Sequence, residues 1–257
     1  MRPWSPIPIH DCAEPLLPLP ADLLRLEPHP YVMAGAPYGA NACPFRLRQG
    51  VIERLLQAQR LLQARSPGYR LAIFDAWRPL AVQRFMVAYA IAEECQRRGV
   101  DPQQPSPELE AVEQEVGRFW APPSDDPATP PPHSTGAAVD LTLADSDGAP
   151  LDLGSAIDAI GPVSEPDHFG GIAREATDPA LRSQAARFQQ RRDLLAAVML
   201  EAGFAQHPNE WWHFSHGDQL WAWRTGQAQA LYGRSEEAPI EGGSPTAQAA
   251  PASSSFT

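Results

Sequence analysis

The chain has 257 residues, with 31 acidic side chains against 20 basic ones and a net charge of −11. That length suits one sizeable domain, and the acidic balance argues against nucleic acid or an anionic membrane surface as a partner. Every cation is an arginine, which excludes lysine Schiff-base chemistry and the lysine-dependent phosphate loop and leaves guanidinium as the only fixed positive charge a site can use.

Residues 1–30 are rich in proline and leucine and are expected to form an irregular N-terminal segment. Prolines break up Met1 to Pro20 and leave no continuous apolar run there, so no secretory signal is expected. No stretch of about 18 apolar residues exists to span a membrane. Cys12, Cys43 and Cys95 are odd in number, far apart and outside any CxxC pair, as expected of free thiols in a reducing compartment. Together these features predict a soluble, cytoplasmic protein.

Tyr31 to Phe45 reads as a loop, with Gly35, Gly39, Pro37 and Pro44 among small residues. Arg46 to Ala64 carries apolar residues at helical spacing (Val51, Leu55, Leu56, Leu61, Leu62) and is stopped by Ser66-Pro67-Gly68. Tyr69 to Phe74 reads as a short strand leading into Asp75-Ala76-Trp77-Arg78-Pro79. Leu80 to Arg98 and Pro107 to Phe119 read as helices, the first with Pro79 at its start and Gly99 just past its end, the second with acids in its first turn. A proline-rich loop covers 121–132. Asp152 to Pro166 reads as loop with one short turn of structure, and Asp178 to Gly203 as a third helix with an Asp cap and a Gly stop. Phe204 to Phe214 reads as a strand, and 235–257 as a disordered tail rich in Gly, Ser, Pro and Ala. Mixed helices and short strands predict an α+β fold: a small, mostly antiparallel sheet flanked by helices, with a site on the sheet face.

Two segments stand out chemically. In the first, His133 and Asp140 are separated by Gly136, which permits a backbone reversal. Val139, Leu141 and Leu143 alternate with Asp140 and Thr142, the period of a half-buried strand that turns a carboxylate to one face. The second is Glu210-Trp211-Trp212-His213, where two indoles beside the glutamate would raise its pKa toward that of a general base. His133, Asp140 and His213 make a three-ligand N/O set of catalytic-zinc type, with one position left for a nucleophilic water. The residues alone also allow an ordinary loop-to-strand junction and an aromatic core strand, and there is no HExxH helix.

Residues 131–143 resemble the SxHxxGxAxDLTL signature of the VanX-type D-alanyl-D-alanine dipeptidases. Glu210 to His213 resembles the EWWH of that family, and Phe74 to Pro79 resembles its segment ending in Arg-Pro. The three motifs occur in the family's order over roughly residues 30 to 215. The resemblance implies one zinc ion on His133, Asp140 and His213, with Glu210 as general base and Arg78 stabilising the oxyanion. Leu153 to Asp158 resembles the family's MGxxFD run and implies Asp158 as anchor for the substrate ammonium, with Tyr31 at the same end. It implies hydrolysis of D-Ala-D-Ala or a close dipeptide in peptidoglycan turnover, by a catalytic domain spanning 31–234. A D,D-carboxypeptidase or peptidoglycan endopeptidase with the same metal set is an alternative, as is a zinc-binding module without catalysis. Pro131 stands where the family usually has Ser, Val32 to Pro37 replaces its Asp-Asn-Phe element, and Ile157 replaces Phe. His168 and His216 are expected at the surface or behind the ligands.

Overall fold

The computed structural model describes residues 2–39 and 43–235. Its main sheet has five strands in the order β2 (Leu24–Arg25), β4 (Arg70–Asp75), β5 (Ala138–Ala144), β7 (His213–Ser215) and β6 (Ala205–Gln206). Only β2 against β4 is parallel; the other pairs are antiparallel. A separate two-stranded ribbon joins β1 (Leu16–Pro18) to β3 (Arg46–Arg48). The fold is α+β with a small, mostly antiparallel sheet, as expected. No helix among the described residues is long and apolar enough to cross a membrane.

Two apolar layers clamp the sheet. On one face, Leu71, Ile73, Val139, Leu141, Leu143 and Phe214 pack against α2 (Gln49–Arg65) and α6 (Pro179–Glu201). These helices supply stripes at three- and four-residue spacing, among them Val51, Leu55 and Leu62, and Leu195, Val198 and Met199. On the other face, Phe74 packs against a second cluster that holds Val82 and Met86 of α3 (Leu80–Arg98), Val112 and Val116 of α4 (Pro107–Phe119), and Tyr31 of α1 (Pro30–Met33). Helix α3 ends on Gly99 in the left-handed conformation, and Ser106 caps α4 by accepting from Leu109 N at 3.1 Å.

The structure corrects several expectations. Strand β5 is buried along its whole length, not half-buried, because Arg78, His133 and His213 gather over Asp140 on the face that alternation left polar. The segment 204–214 is not one strand: β6 and β7 are separate, and Glu210-Trp211-Trp212 forms the turn between them. There the Trp211 amide bonds to Ser164 O and not to a strand neighbour. The expected helix from Arg46 begins only at Gln49, since residues 46–48 pair with β1. Tyr31 lies in a short helix and not in a loop. Helices α5 (His168–Glu175) and α7 (Gln219–Thr225) were not anticipated. Residues 236–257 of the expected tail lie outside the described residues.

Candidate active site

The sheet sets the spacing of the site. Asp140 pairs across the ladder with His213 on β7 and with Asp75 on β4, so three polar side chains form one row. Regular pairing from Ile73–Leu141 would set Asp75 opposite Val139, on the apolar face. A bulge between Ile73 and Asp75 shifts the register and turns the Asp75 carboxylate to the Asp140 side. His133 arrives from a 3-10 turn (Pro132–Thr135) that ends at Gly136, whose φ of 72° suits glycine. A Cβ at Gly136 would also meet Leu16 Cδ1 at 2.5 Å.

His133, Asp140 and His213 form the one group among the described residues that could hold a metal ion, and all three are buried. His133 Nδ1 donates to Ala76 O at 2.7 Å, which leaves a bare lone pair on Nε2 in the neutral ring. That Nε2 lies 3.2 Å from Asp140 Oδ2 and 3.2 Å from His213 Nδ1, and His213 Nδ1 lies 3.0 Å from Asp140 Oδ1. A tetrahedral ion with bonds near 2.0 Å sets its ligands about 3.3 Å apart. Despite the short approach, Asp140 Oδ1 has no hydrogen-bond partner. A buried carboxylate oxygen beside an imidazole, yet out of bonding geometry, fits donors aimed at a shared third point. The set therefore fits a divalent ion.

Arg78 borders this cluster. Its Nη2 donates to Asp75 Oδ2 at 2.7 Å and reaches Asp140 Oδ2 at 3.5 Å, while Nη1 donates to Gln83 Oε1 at 2.8 Å. The guanidinium also stacks over Tyr31 and Trp120, 5.0 Å from each ring. Burial works against its charge, but Asp75, Tyr31 and Asp140 outweigh it and raise the pKa above the ordinary value. Burial likewise pushes Asp75 up, but Arg78, His29 and His133 bring it down to about 2. His29 Nε2 and the Tyr38 hydroxyl complete its partners at 3.0 and 3.3 Å.

Glu210 lies beside the ligands, its Oε2 3.6 Å from His213 Nδ1 and its Oε1 3.3 Å from His207 Nδ1. Burial first, and then the Asp140 charge, raises its pKa well above the ordinary value. Burial also holds His207 well below the usual imidazole range, so that ring is neutral. Asp158 lines the same cavity. It adopts φ +65°, a conformation side chains other than glycine rarely take, and accepts from the Tyr31 hydroxyl at 2.7 Å. Burial, with Asp140 adding to it, pushes its pKa up to about 7.

The structure brings Arg78, His133, Asp140, Asp158, Glu210 and His213 around one cavity. Tyr31 stands behind Asp158 and lines the adjoining groove. His168 lies on α5 beside Phe169, and His216 is buried, donating to Gly203 O and accepting from Arg54.

Sequence reasoning missed Asp75, His29, Gln83 and His207, which hold the named groups, and Arg2 and Trp4, which close the cavity wall. It also missed Arg192, whose guanidinium donates to Leu153 O, Val163 O, Glu165 O and Ser155 Oγ at 2.9–3.1 Å. These bonds fix the loop that presents Asp158. Ser155 also accepts from Trp211 Nε1 at 2.8 Å, which ties that loop to the Glu210 turn. Only the acid in Phe74-Asp75-Ala76-Trp77-Arg78 offered a local signal; the other contacts join residues far apart in sequence.

A model of the peptidase M15 family, described as D-ala-D-ala dipeptidase, matches residues 25–230. A D-alanyl-D-alanine dipeptidase of Synechocystis sp. is 44% identical over 244 residues, covering 92% of this chain and 98% of that protein. One of Escherichia coli is 31% identical over 151 residues, covering 59% of this chain and 57% of that protein. Among solved structures, a mutant of the vancomycin resistance D,D-pentapeptidase VanY in complex with Zn(II) overlaps loosely. The TM-score is 0.39 at 14% identity, over 89% of this chain and 97% of that one.

Proposed function

This chain belongs to the peptidase M15 family of D-ala-D-ala dipeptidases, and we propose that it is a zinc enzyme that hydrolyses D-alanyl-D-alanine or a closely related D,D-dipeptide to free amino acids. The observation that carries this reading is the buried convergence of His133, Asp140 and His213 beside Glu210. Two imidazole nitrogens and one carboxylate suit one zinc ion per chain with a coordination position to spare. Zinc held there supplies Lewis acidity and makes water nucleophilic near neutral pH.

The chain's own groups do the rest. Glu210 takes a proton from the attacking water as the new C–O bond forms at the scissile carbonyl. It returns that proton to the leaving amine as the C–N bond breaks, and two amino acids are released. A carboxylate with a raised pKa suits both halves of this transfer. Arg78, fixed by Asp75 and Gln83, presents its charge to the developing oxyanion in a site largely closed to water. Asp158, oriented by the Tyr31 hydroxyl, receives the substrate ammonium. An acylated substrate brings no cation and leaves that carboxylate buried and unpaired, so the site favours dipeptides over longer chains.

Residues 31–234 carry all of these groups, with the N-terminal segment adding Arg2 and Trp4 to the cleft wall. The role we assign is peptidoglycan turnover in the cytoplasm. Release of D-alanine by the purified protein tests the reaction, with L-Ala-L-Ala as stereochemical control and a chelator as metal control. Rapid, chelator-sensitive release from the D,D substrate alone is the expected result. No release from zinc-loaded protein contradicts the proposal.

A further inference from the structure

The N-terminal segment does more than cover the molecule. Gln219 Nε2 donates to Ser5 O at 3.1 Å and Ile7 O at 2.7 Å, and Ile9 bridges Ala230 in a parallel pairing. Pro8 O and the His10 amide also bond to Ala230, and the Cys12 amide bonds to Leu231 O. Trp4 is buried against His207 and Trp223, with ring centroids 5.6 and 5.5 Å apart. This strap delivers Arg2 to the wall of the catalytic cavity.

Arg2 and Arg78 are the two cations in the lining of that cavity. Arg78 is committed to Asp75, whereas Arg2 has no carboxylate within ion-pair distance among the described residues. Its guanidinium is 3.3 Å from His207 Nε2 and donates to Gly117 O at 3.2 Å, leaving donors free. Contacts run from Arg2 through His207 to Glu210 and His213. A separate chain runs from Asp158 through Tyr31 to Arg78 and Asp140. The cavity is thus bipolar, with the Arg2 guanidinium, close enough to feel the Glu210 charge but with no ion-pair partner among the described residues, reached through His207, and a carboxylate reached through Arg78 and Tyr31.

We propose that Arg2 binds the free C-terminal carboxylate of the substrate, opposite the Asp158 anchor for its ammonium, so that the cleft measures a zwitterionic dipeptide at both ends. This rests on the dipeptidase reading above. It follows the chemistry of that reading, because Glu210 delivers its proton to the leaving amine and the carboxylate of that residue lies just beyond the amine. A planar guanidinium with free donors matches a carboxylate by paired hydrogen bonds.

The test compares D-Ala-D-Ala with D-alanyl-D-alaninamide, which lacks the negative charge, on wild type, Arg2→Ala and Arg2→Lys. Wild type is expected to prefer the acid at least tenfold in kcat/KM. In Arg2→Ala the KM for the acid rises about tenfold or more, kcat falls less, and the acid-to-amide ratio collapses toward one. Arg2→Lys restores part of the ratio, since it keeps the charge without the fork. Because each ratio is taken on a single protein, partial misfolding cancels. An unchanged ratio in Arg2→Ala, with wild type active, overturns the role of Arg2 and leaves the dipeptidase reading standing. Wild type that cleaves neither substrate overturns both.

Discussion

The two halves of the cleft are built differently. Asp140 and His213 sit on paired strands, directly opposite one another, and His133 is braced by the Ala76 carbonyl beside β4. Asp158 and Arg2 sit on irregular chain tethered from elsewhere in the fold, with buried Arg192 bonding along the first and Gln219 and Ala230 pinning the second. Chemistry that needs donors at fixed short distances is placed on the sheet, where backbone ladders set the geometry. On the proposed reading, recognition of the substrate's ends falls to tethered loops, where length and charge can change without disturbing the proposed metal ligands. The two halves should therefore fail separately.

The largest effect is expected at Glu210, on the turn that leads into β7. Glu210→Gln should lower kcat by about 10³-fold, the usual range for loss of a general base, while zinc content measured by atomic absorption stays at one per chain. Loss of zinc along with activity would mean that Glu210 supports the ligands and does not serve as the base. On the loop side, Arg192→Ala strands four acceptors and should cost roughly 3 kcal/mol in denaturant unfolding. It should raise KM while the folded fraction keeps its zinc; equal loss of zinc would erase the distinction between the halves.

A smaller effect concerns pH. Burial, with Arg54 adding to it and the Gly203 hydrogen bond opposing, holds His216 down to about 4, so the folded chain keeps it neutral where the unfolded chain protonates it near 6.5. The unfolded state binds more protons in that window, so the contribution is complete above pH 6.5 and is lost as pH falls toward 4. At pH 5 the expected loss is about 2 kcal/mol, and it should be absent from the pH dependence of His216→Gln. Equal acid sensitivity in the two proteins would contradict this. The smallest effect is expected from Asp158→Asn, which keeps an acceptor for Tyr31 but loses the charge. KM for D-Ala-D-Ala should rise about tenfold and the preference over an N-acetylated substrate should shrink; an unchanged preference would remove Asp158 as the ammonium anchor.

Much of the sheet-borne half could be read from sequence because its signals are local. Helix α3 runs between the proline and glycine that mark it and α4 opens on the acids that mark its first turn, and Val139-Asp140-Leu141 alternates as a strand should. The loop-borne half was only partly legible. Asp158 emerged through a motif, but its support by Arg192 spans more than thirty residues and leaves no local pattern. Arg2 sat in a segment whose prolines signalled irregular chain. They could not signal that Gln219 and Ala230 would pin that chain across the cleft. Asp75 was in view within its motif, yet its place beside Asp140 depends on a bulge that alternation cannot encode. The Glu210 turn reads as strand in the sequence because its aromatic residues have strand character, whereas the amide of Trp211 finds its partner in Ser164 O.

The most direct test of the metal-centred claim is to titrate the chelated protein with zinc while following D-alanine release from D-Ala-D-Ala, alongside Asp140→Asn. In wild type, activity should climb linearly and break at one ion per chain, and the variant should stay flat over the same range. Activity independent of added zinc, or an equal response from Asp140→Asn, would contradict the assignment of this cluster as the catalytic metal centre.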